Sequence, residues 1–444
     1  MRIVFRTLMR RAYNRGDWEN ARKYAMRIID DPREEKLAKS VVLRSYWNQN
    51  DMLKLQLFMH KWDDIDFEDI RKNMQKSRHL EIPSPELEKI WNPDKLESNF
   101  TQEGNILWLK TPQSWVHWIM PDGFDLNQTH PSLLQLAVDL LLRPWHKEVK
   151  GPLDAGREKG VNYALSYSAG TDSSAAMQLM PIDTILSYHE RNFNSILNHE
   201  NAHRMINHLR EDRDVLVVKS NHEHLRKLRG KQTGFSTDYA AGVHLVLLAD
   251  FLNLRGIAFG TPIDNTWLKK GLNFRDFKTS RHLVFWRDRF AEAGLELILP
   301  TNMISEAGAM KICKESPFIG FMNSCIRGNG VTGCGKCWKC FHKNGPLGRQ
   351  YDLQSREIYT FLQKRPLRSG MHAIWAVKVM NIQHLLPDFE SILNSDLSWW
   401  EQYYPPGLEL IPNELREHVE NKLNQYLEPM DSPYVMETIN LFPE

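Results

Sequence analysis

Residues 163–180, which read YALSYSAGTDSSAAMQLM, decide the fold of this chain. The apolar start at 163–165 predicts a β-strand, and the run 175–180 predicts a helix. Between them lies a polar turn rich in hydroxyl groups. Such a turn presents backbone N–H groups and hydroxyls at the positive end of a helix dipole, which favours phosphate binding. The turn lacks the Gly-Lys-Ser/Thr pattern, so a mononucleotide P-loop is not predicted.

Within this turn, the pattern Ser168-Ala-Gly-Thr-Asp-Ser173 resembles the Ser-Gly-Gly-x-Asp-Ser loop of the PP-loop ATP pyrophosphatase superfamily. The resemblance implies that ATP is split between its α and β phosphates and that the adenylyl group passes to a substrate oxygen. Ala169 replaces the first glycine of the pattern, and a methyl group there requires a negative φ, which we therefore predict. An ordinary Ser/Gly-rich turn is the alternative. The candidate ATP-binding residues are Ser168, Ala169, Gly170, Thr171, Asp172, Ser173 and Ser174, called loop 168–174 below, together with His189 and Gly260 from later strand ends.

Apolar runs alternate with helical patterns across residues 161–312, which predicts an α/β, doubly wound, mostly parallel sheet. The predicted strands are 163–165, 184–190, 214–219, 257–264 and 295–300, and the predicted helices include 175–180, 202–209 and 237–254. Because ligands of such sheets bind beyond the carboxyl ends of the strands, the candidate segments are loop 168–174, 188–191, 220–222 and 260–264. In the last segment, Asp264 could orient a substrate amine, cap a helix or lie in a solvated turn. Eight histidines lie between 189 and 282, of which His199, His203 and His208 are predicted to be exposed on a polar helix.

The five cysteines all lie between residues 313 and 340. Cys325, Cys334, Cys337 and Cys340 form two overlapping Cys-x2-Cys turns and a fourth thiol approached through glycines, with Gly333 and Gly335 letting backbone N–H groups point at sulfur. Four thiolates leave no open coordination position, which predicts a structural Zn²⁺; an iron–sulfur cluster is the alternative. Cys313 lies outside this set and is interpreted as a small buried side chain rather than a reactive thiol.

The order of these features, a PP-loop, a fourth-strand turn, a fifth strand ending in proline, Lys311 and then the cysteines, resembles the 7-cyano-7-deazaguanine synthase branch of the superfamily. The resemblance covers residues 160–345 and implies ATP, Mg²⁺ and Zn²⁺ as cofactors. It makes Asp172, Ser173 and Lys311 the candidate catalytic residues, with Asp172 near Mg²⁺. The implied activity is ligase-like: a substrate carboxylate or amide oxygen is adenylylated, pyrophosphate leaves, and ammonia or an amine attacks.

Two other functions stay open from the sequence. One is a tRNA-modifying, thiolation or amidotransferase-type PP-loop enzyme, in which Cys313 would be the reactive thiol. The other is a non-catalytic scaffold that senses ATP. The acceptor could be a small molecule or a macromolecule, because the helical segments at both ends of the chain extend beyond a minimal enzyme of this family.

Composition sets further limits. The chain has 444 residues, 42% of them hydrophobic, and a net charge of +2, so a generally nucleic-acid-coated surface is not indicated. A local basic patch is predicted at 269–289, where seven Lys and Arg residues alternate with aromatic ones, although an amphipathic helix fits the same residues. No apolar run is long enough for a membrane span. The Arg-rich N-terminus superficially resembles a transit peptide, but it continues into a helical pattern, and we predict a cytoplasmic protein.

Five segments are predicted. Residues 1–95 form a helical domain with Asp17 as a helix cap, and residues 96–150 form a connector with a hairpin, whose Trp108, Trp115 and Trp118 line a ligand face or pack in the core. Residues 151–312 form the ATP-binding domain, and residues 313–345 form the zinc-binding segment. Residues 346–444 are helical with an aromatic corner at 399–406. The two helical domains could bind a protein partner or simply pack on the sheet.

Overall fold

The computed structural model describes residues 2–49, 51–62, 89–112, 114–146, 156–193, 197–229 and 231–441. The chain begins with four helices, α1 (Arg2–Asn14), α2 (Trp18–Met26), α3 (Glu35–Asn48) and α4 (Met52–Lys61). Their apolar side chains form a core of their own around Met9, Ala21 and Val42. Asp17 caps α2 as predicted, since its carboxylate accepts the N–H of Asn20. Residues 63–88 of the predicted helical domain 1–95 lie outside the described residues.

The body of the molecule is an eight-stranded sheet. Its strands are β1 (Phe100–Glu103), β2 (Ile106–Lys110), β3 (Trp115–Ile119), β4 (Asn162–Tyr167), β5 (Ile185–Arg191), β6 (Val215–Ser220), β7 (Leu254–Phe259) and β10 (Glu296–Ile298). Two short strands, β8 (Leu268–Lys269) and β9 (Asn273–Phe274), pair separately. All five strands predicted in the α/β segment are present, with changed ends; the strand predicted at 257–264 ends at Phe259 because the chain turns at Gly260.

The strand order is β1-β2-β3-β6-β5-β4-β7-β10. Within this sheet, β4, β5, β6, β7 and β10 pair in parallel. The strands β1, β2 and β3 add an antiparallel extension that joins the sheet through β6. The chain therefore moves outward from β4 to β5 and β6 on one side, and to β7 and β10 on the other. This reversal is the topological switch point of a doubly wound sheet, where ligands bind. It lies between the carboxyl ends of β4 and β7.

Helices cover both faces of the sheet. They are α5 (Pro131–Leu142), α6 (Thr171–Leu179), α7 (Glu200–Leu209), α8 (His224–Leu228), α9 (Val243–Leu247), α10 (Arg281–Glu292), α11 (Glu306–Lys314), α12 (Arg356–Gln363), α13 (Gly370–Val379), α14 (Glu390–Leu393) and α15 (Asn413–Tyr426). Side chains that alternate along a strand point to opposite faces. Accordingly, Ala164 belongs to the core shared with α5, α9 and α13, whereas Leu165 belongs to the core shared with α6, α7 and α15.

The C-terminal helices belong to the body of the molecule. Trp375 and Trp400 pack in the first of these cores, and Val419 and Leu423 pack in the second. The aromatic corner at 399–406 has buried rings, since Trp400 is 0% exposed and Tyr404 is 2% exposed. The extra helices therefore complete both faces of the sheet, and packing on the sheet accounts for them.

The segment 237–254 and the hairpin tryptophans were both subjects of sequence predictions. The helix predicted at 237–254 is wrong: a 3-10 turn at Asp238–Gly242 leads into the five-residue α9, and the chain then turns into β7. The chain here lies close to the sheet, since a Cβ atom on Gly242 would be 2.7 Å from the ring of Phe259. Trp108 and Trp118 are core residues, 2% and 0% exposed.

No helix in the described part of the chain has the length and apolar character needed to cross a membrane.

Candidate functional site

Loop 168–174 lies at the switch point, between β4 and α6. Its own hydroxyl groups hold its shape: Ser173 Oγ accepts the N–H of Ser168 at 3.1 Å and donates to the carbonyl of Gly170 at 3.1 Å. The N–H of Thr171 donates to Ser324 Oγ at 3.1 Å. Within the described chain, no hydrogen bond uses the N–H groups of Asp172 or Ser173. These two donors lie in the first turn of α6 and are therefore suited to an anion.

Ala169 corrects a prediction from the sequence. Its φ is +58°, in the left-handed region, and not negative as we predicted. The sharp turn from β4 into α6 imposes this conformation, in which a Cβ atom is unfavourable by about 1–2 kcal/mol. The side chain of Ala169 is 1% exposed and packs in the core beneath the loop. The position thus has the backbone geometry that favours glycine, which is the residue in the superfamily pattern.

Gly260 explains how the fourth parallel strand supports the loop. A Cβ atom on Gly260 would lie 2.7 Å from the carbonyl oxygen of Asp172 and 2.8 Å from the amide nitrogen of Ser173. A side chain here would therefore displace the first turn of α6. The structure brings loop 168–174 and Gly260 together, as the rule for strand ends predicted.

A buried lysine that sequence reasoning missed lies against the loop. Lys343 Nζ is 2.5 Å from Asp172 Oδ2 and 3.5 Å from Glu306 Oε2. Burial favours its neutral form, but Asp172 and Glu306 outweigh burial and raise the pKa of Lys343 above its ordinary value. A cation thus faces the loop that has no lysine of its own. Lys343 belongs to a π-helical turn, Cys340–Asn344. The only hint of its role in the sequence is its position three residues after the last cysteine.

Two further carboxylates complete this neighbourhood. Asp264 is 1% exposed, and its Oδ2 accepts the N–H of Glu306 at 3.0 Å. Asp264 thus accepts the first N–H group of α11, whose N-cap residue is Ser305, and its burial rules out the solvated turn that the sequence also allowed. Burial and the charge of Glu306 raise the pKa of Asp264 well above its ordinary value. Burial alone would also raise the pKa of Glu306. However, the nearby charges of Lys343, His342 and His372 hold the pKa of Glu306 well below its ordinary value.

The other predicted site residues have different surroundings. Ser174 is buried under the loop, where its Oγ lies 3.1 Å from the hydroxyl of Tyr167. Lys311 lies on α11, is half-buried, and makes no hydrogen bond or ion pair with the described residues. The structure therefore brings Lys343, and not Lys311, into contact with Asp172.

Cys313 lies directly beneath the loop. Its thiol is fully buried and donates to the carbonyl oxygen of Thr171 at 3.4 Å. Burial and the nearby charge of Asp172 raise the pKa of Cys313. The thiolate form needed for sulfur chemistry is therefore disfavoured, and Cys313 is a packed side chain, as interpreted from the sequence.

The histidines near the end of β5 are more buried than the sequence suggested. His189 is 9% exposed, its ring centroid is 4.5 Å from that of His222, and burial lowers its pKa well below the ordinary value. The prediction that His199 is exposed is wrong: it is half-buried, its Nδ1 lies 2.5 Å from the hydroxyl of Tyr188, and its Nε2 accepts the N–H of Arg191 at 3.0 Å. His199 stands at the start of α7 and connects that helix to β5.

The basic segment at 269–289 uses several of its charges within the protein. Arg289 pairs with Glu292 at 3.0 Å, Lys278 pairs with Glu409, and Arg275 donates to the carbonyl oxygen of Thr266 at 2.6 Å. The amphipathic helix α10 buries Trp286 of this segment. These contacts fit the helix interpretation better than a free anionic-ligand patch.

The four cysteines form a second centre. The Sγ–Sγ distances are 3.8 Å for Cys325–Cys337, 3.9 Å for Cys334–Cys340 and 3.6 Å for Cys337–Cys340. Zn–S bonds of about 2.3 Å in a tetrahedron place sulfurs about 3.8 Å apart. These four residues could therefore hold one metal ion. As predicted, backbone N–H groups point at sulfur, since those of Arg327 and Cys334 donate to Cys325 Sγ at 3.4 and 3.3 Å.

Glycine is required where the chain passes this centre. A Cβ atom on Gly333 would lie 2.9 Å from Cys340 Sγ, and Gly335 has a φ of +67°. Beside the cysteines is a pocket of about 420 Å³, whose polar lining includes Asn323, Lys336, Asn344 and Arg349. Asn323 and Asn344 directly neighbour Ser324 and Lys343, so the pocket adjoins the residues that contact loop 168–174.

One family model matches the chain. It describes a family of unknown function, DUF6395, and covers residues 285–435, about a third of the sequence. The matched part contains Glu306, Lys343 and the four cysteines but not loop 168–174. No match was found among curated proteins or among solved structures.

Proposed function

We propose that this protein is an ATP pyrophosphatase of the PP-loop type that adenylylates a carboxylate or amide oxygen of its substrate. The observation that carries the proposal is the contact between Lys343 and Asp172 at the switch point of the sheet. A loop with two unused N–H donors, a helix N-terminus and a buried ammonium group together suit a polyphosphate. The strand order and the loop sequence support the same proposal.

The residues have separate tasks in this scheme. The N–H groups of Asp172 and Ser173 bind the β and γ phosphates, and the ammonium group of Lys343 leaves Asp172 to neutralise phosphate charge. Asp172 is then free to hold Mg²⁺, whose charge would stabilise the leaving pyrophosphate. A substrate oxygen attacks the α phosphorus, and the bond from that phosphorus to the bridging oxygen of pyrophosphate breaks. An amine then attacks the activated carbon, and AMP leaves.

The cysteine centre supplies structure in this proposal. Four thiolates around one Zn²⁺ leave no coordination site for a substrate. The spacing of the sulfurs leaves room for a single ion, which favours zinc over a multi-iron cluster. Because Cys340 begins the π-helical turn that carries Lys343, the metal would fix the lysine relative to the loop.

The pocket beside the cysteines is the proposed place of the acceptor. The amide groups of Asn323 and Asn344 and the ammonium group of Lys336 suit an acid or amide with several polar groups, whereas Arg349 already donates to the carbonyl oxygens of Met322 and Ile319. The burial of Cys313 speaks against the thiolation alternative, because a sulfur carrier needs an accessible thiolate.

The test is the fate of labelled ATP. The purified protein is incubated with α-labelled ATP, Mg²⁺ and a panel of carboxylic acids and amides with ammonia. We expect AMP and pyrophosphate, and we expect Asp172→Ala to reduce AMP formation at least about 100-fold, since the loop then loses its metal-binding carboxylate. Asp183→Ala, which changes an exposed aspartate beyond the end of α6, is the matched control.

The products distinguish the alternatives. ADP and phosphate would contradict cleavage between the α and β phosphates. Tight ATP binding without any cleavage across the acceptor panel would favour the ATP-sensing scaffold. AMP formation that survives Asp172→Ala would show that the chemistry occurs elsewhere in the protein.

A further inference from the structure

A second group of metal-binding side chains lies behind Lys343. Glu306 stands at the start of α11, His342 on the π-helical turn, and His372 on α13. One ligand atom from each lies within 4.8 Å of the other two. All three residues are at least nine-tenths buried, with exposures of 4%, 0% and 0%.

We propose that Glu306, His342 and His372 bind one divalent transition-metal ion, separate from the ion at the four cysteines. Two imidazoles and one carboxylate form a ligand set that suits zinc, iron or manganese and leaves coordination positions open. This inference does not depend on the proposed ATP chemistry, because it rests on these side chains alone.

The distances between the ligand atoms fit a single ion. Glu306 Oε2 is 3.3 Å from His342 Nδ1 and 3.7 Å from His372 Nε2. Bonds of about 2.1 Å in a tetrahedron place neighbouring ligand atoms about 3.4 Å apart. The carboxylate oxygen is therefore spaced for coordination with each nitrogen, and the three ligand atoms lie within 4.8 Å of one another.

Buried ring nitrogens without a hydrogen bond point to a missing ligand. Both ring nitrogens of His342 and Nδ1 of His372 are buried and make no hydrogen bond within the described part of the chain, and His342 Nδ1 is one of the proposed ligand atoms. Glu306 Oε2 makes no hydrogen bond there either, but it lies 3.5 Å from Lys343 Nζ. Leaving a buried polar atom without a partner costs about 1–3 kcal/mol. His372 Nε2 lies 2.7 Å from the carbonyl oxygen of His342, so ligation through this nitrogen requires its proton to move to Nδ1 or to leave.

The charges around Glu306 are mixed. Lys343 lies near both Asp172 and Glu306, and a second lysine, Lys339, interacts electrostatically with the same two carboxylates. Lys343 contacts Asp172 more closely than Glu306, so in the absence of ATP it can stay on Asp172 while a metal occupies Glu306. The open coordination positions would then lie beside the residues that contact loop 168–174.

Cobalt titration of the whole chain tests this proposal. After removal of metals with a chelator, Co²⁺ is added while absorbance and bound metal are followed. We expect two ions per wild-type chain: one with the intense sulfur-to-cobalt band of a thiolate site, and one with only the weak visible bands of nitrogen and oxygen ligands. His372→Gln should weaken the affinity for the second ion at least about 100-fold and leave the thiolate band intact.

A histidine outside the proposed site provides the control. His203→Gln changes a histidine whose side chain is 41% exposed, and this variant should keep both ions. Uptake of a single ion by the wild-type chain would overturn the proposal, whatever the folding of the variants. Retention of the second ion by His372→Gln would do the same. Two ions in a protein that forms no AMP would leave this inference standing and would reject the ATP chemistry alone.

Discussion

At the scale of single residues, the geometry of loop 168–174 depends on two positions that tolerate little change. Ala169 has a φ of +58° and a buried methyl group, and a Cβ atom on Gly260 would lie only 2.7 Å from the carbonyl oxygen of Asp172. The first position fixes how the chain leaves β4, and the second fixes how β7 supports the start of α6. Both therefore control where the unused N–H groups point.

Substitutions at Ala169 test this backbone conformation. Glycine removes the left-handed strain but also a buried methyl group, so Ala169→Gly should change the free energy of unfolding by less than about 1 kcal/mol. Valine is poorly compatible with a positive φ, so Ala169→Val should lower it by about 2 kcal/mol or more. Denaturant unfolding measures both. A valine variant as stable as the wild type would contradict the assigned conformation.

At the scale of elements, the π-helical turn Cys340–Asn344 connects the two centres. Cys340 belongs to the cysteine group, and Lys343 contacts loop 168–174. The same turn carries His342, which faces Glu306 at 3.3 Å. One short element thus places a metal ligand, the loop's cation and a second candidate metal ligand.

Removing a cysteine ligand tests this connection. Cys337→Ser should lower the metal content from about one thiolate-bound zinc per chain to none, because three ligands hold zinc far more weakly than four. Loss of that metal should free the turn and weaken ATP binding as well. Metal analysis and nucleotide titration on the same sample measure both effects. Full zinc content in this variant, or visible iron absorbance in the wild type, would refute the assignment.

Local sequence patterns predicted the elements that depend on local physics. Apolar runs located the five parallel strands, and glycines with Cys-x2-Cys spacing located the cysteine group. The contacts of Lys343 with Asp172 could not be predicted, because 171 residues separate the two along the chain. The helix predicted at 237–254 was wrong because the chain forms a 3-10 turn at 238–242 and leaves the helix after Leu247 to enter β7 at Leu254, a tertiary arrangement that the local pattern does not contain.

At the scale of the whole molecule, residues 346–441 contribute to the cores on both faces of the sheet, whereas the first four helices have a separate core. The body also buries neutral histidines. Burial lowers the pKa of His117 to about 4 and that of His222 and His244 to about 3. These residues lie on β3, beyond β6 and on α9, so they report on the sheet as a unit.

These histidines predict acid sensitivity. Their folded pKa values lie below the unfolded value of about 6.5, so the unfolded chain binds more protons as the pH falls. Their contribution to stability is complete above about pH 6.5 and is lost as the pH falls towards the folded values of about 4 for His117 and about 3 for His222 and His244. Protonation of each histidine should lower the free energy of unfolding by roughly 2 kcal/mol between pH 7 and pH 5. Denaturant unfolding at both values measures this, and His222→Gln should reduce the difference. Equal stability at pH 7 and 5 would contradict the burial of these rings.

Loop 168–174 and Lys343 are proposed to bind the phosphates of ATP. Calorimetry with an ATP analogue whose α and β phosphates are joined by a methylene group tests this binding without an acceptor, because the analogue cannot be cleaved between those phosphates. We expect one molecule bound per wild-type chain, affinity at least about 100-fold weaker in Lys343→Met, and unchanged affinity in Lys314→Met, which alters an exposed lysine at the end of α11. Unfolding temperature and zinc content confirm that each variant is folded. No binding to the wild type, or equal binding to Lys343→Met, would contradict the account.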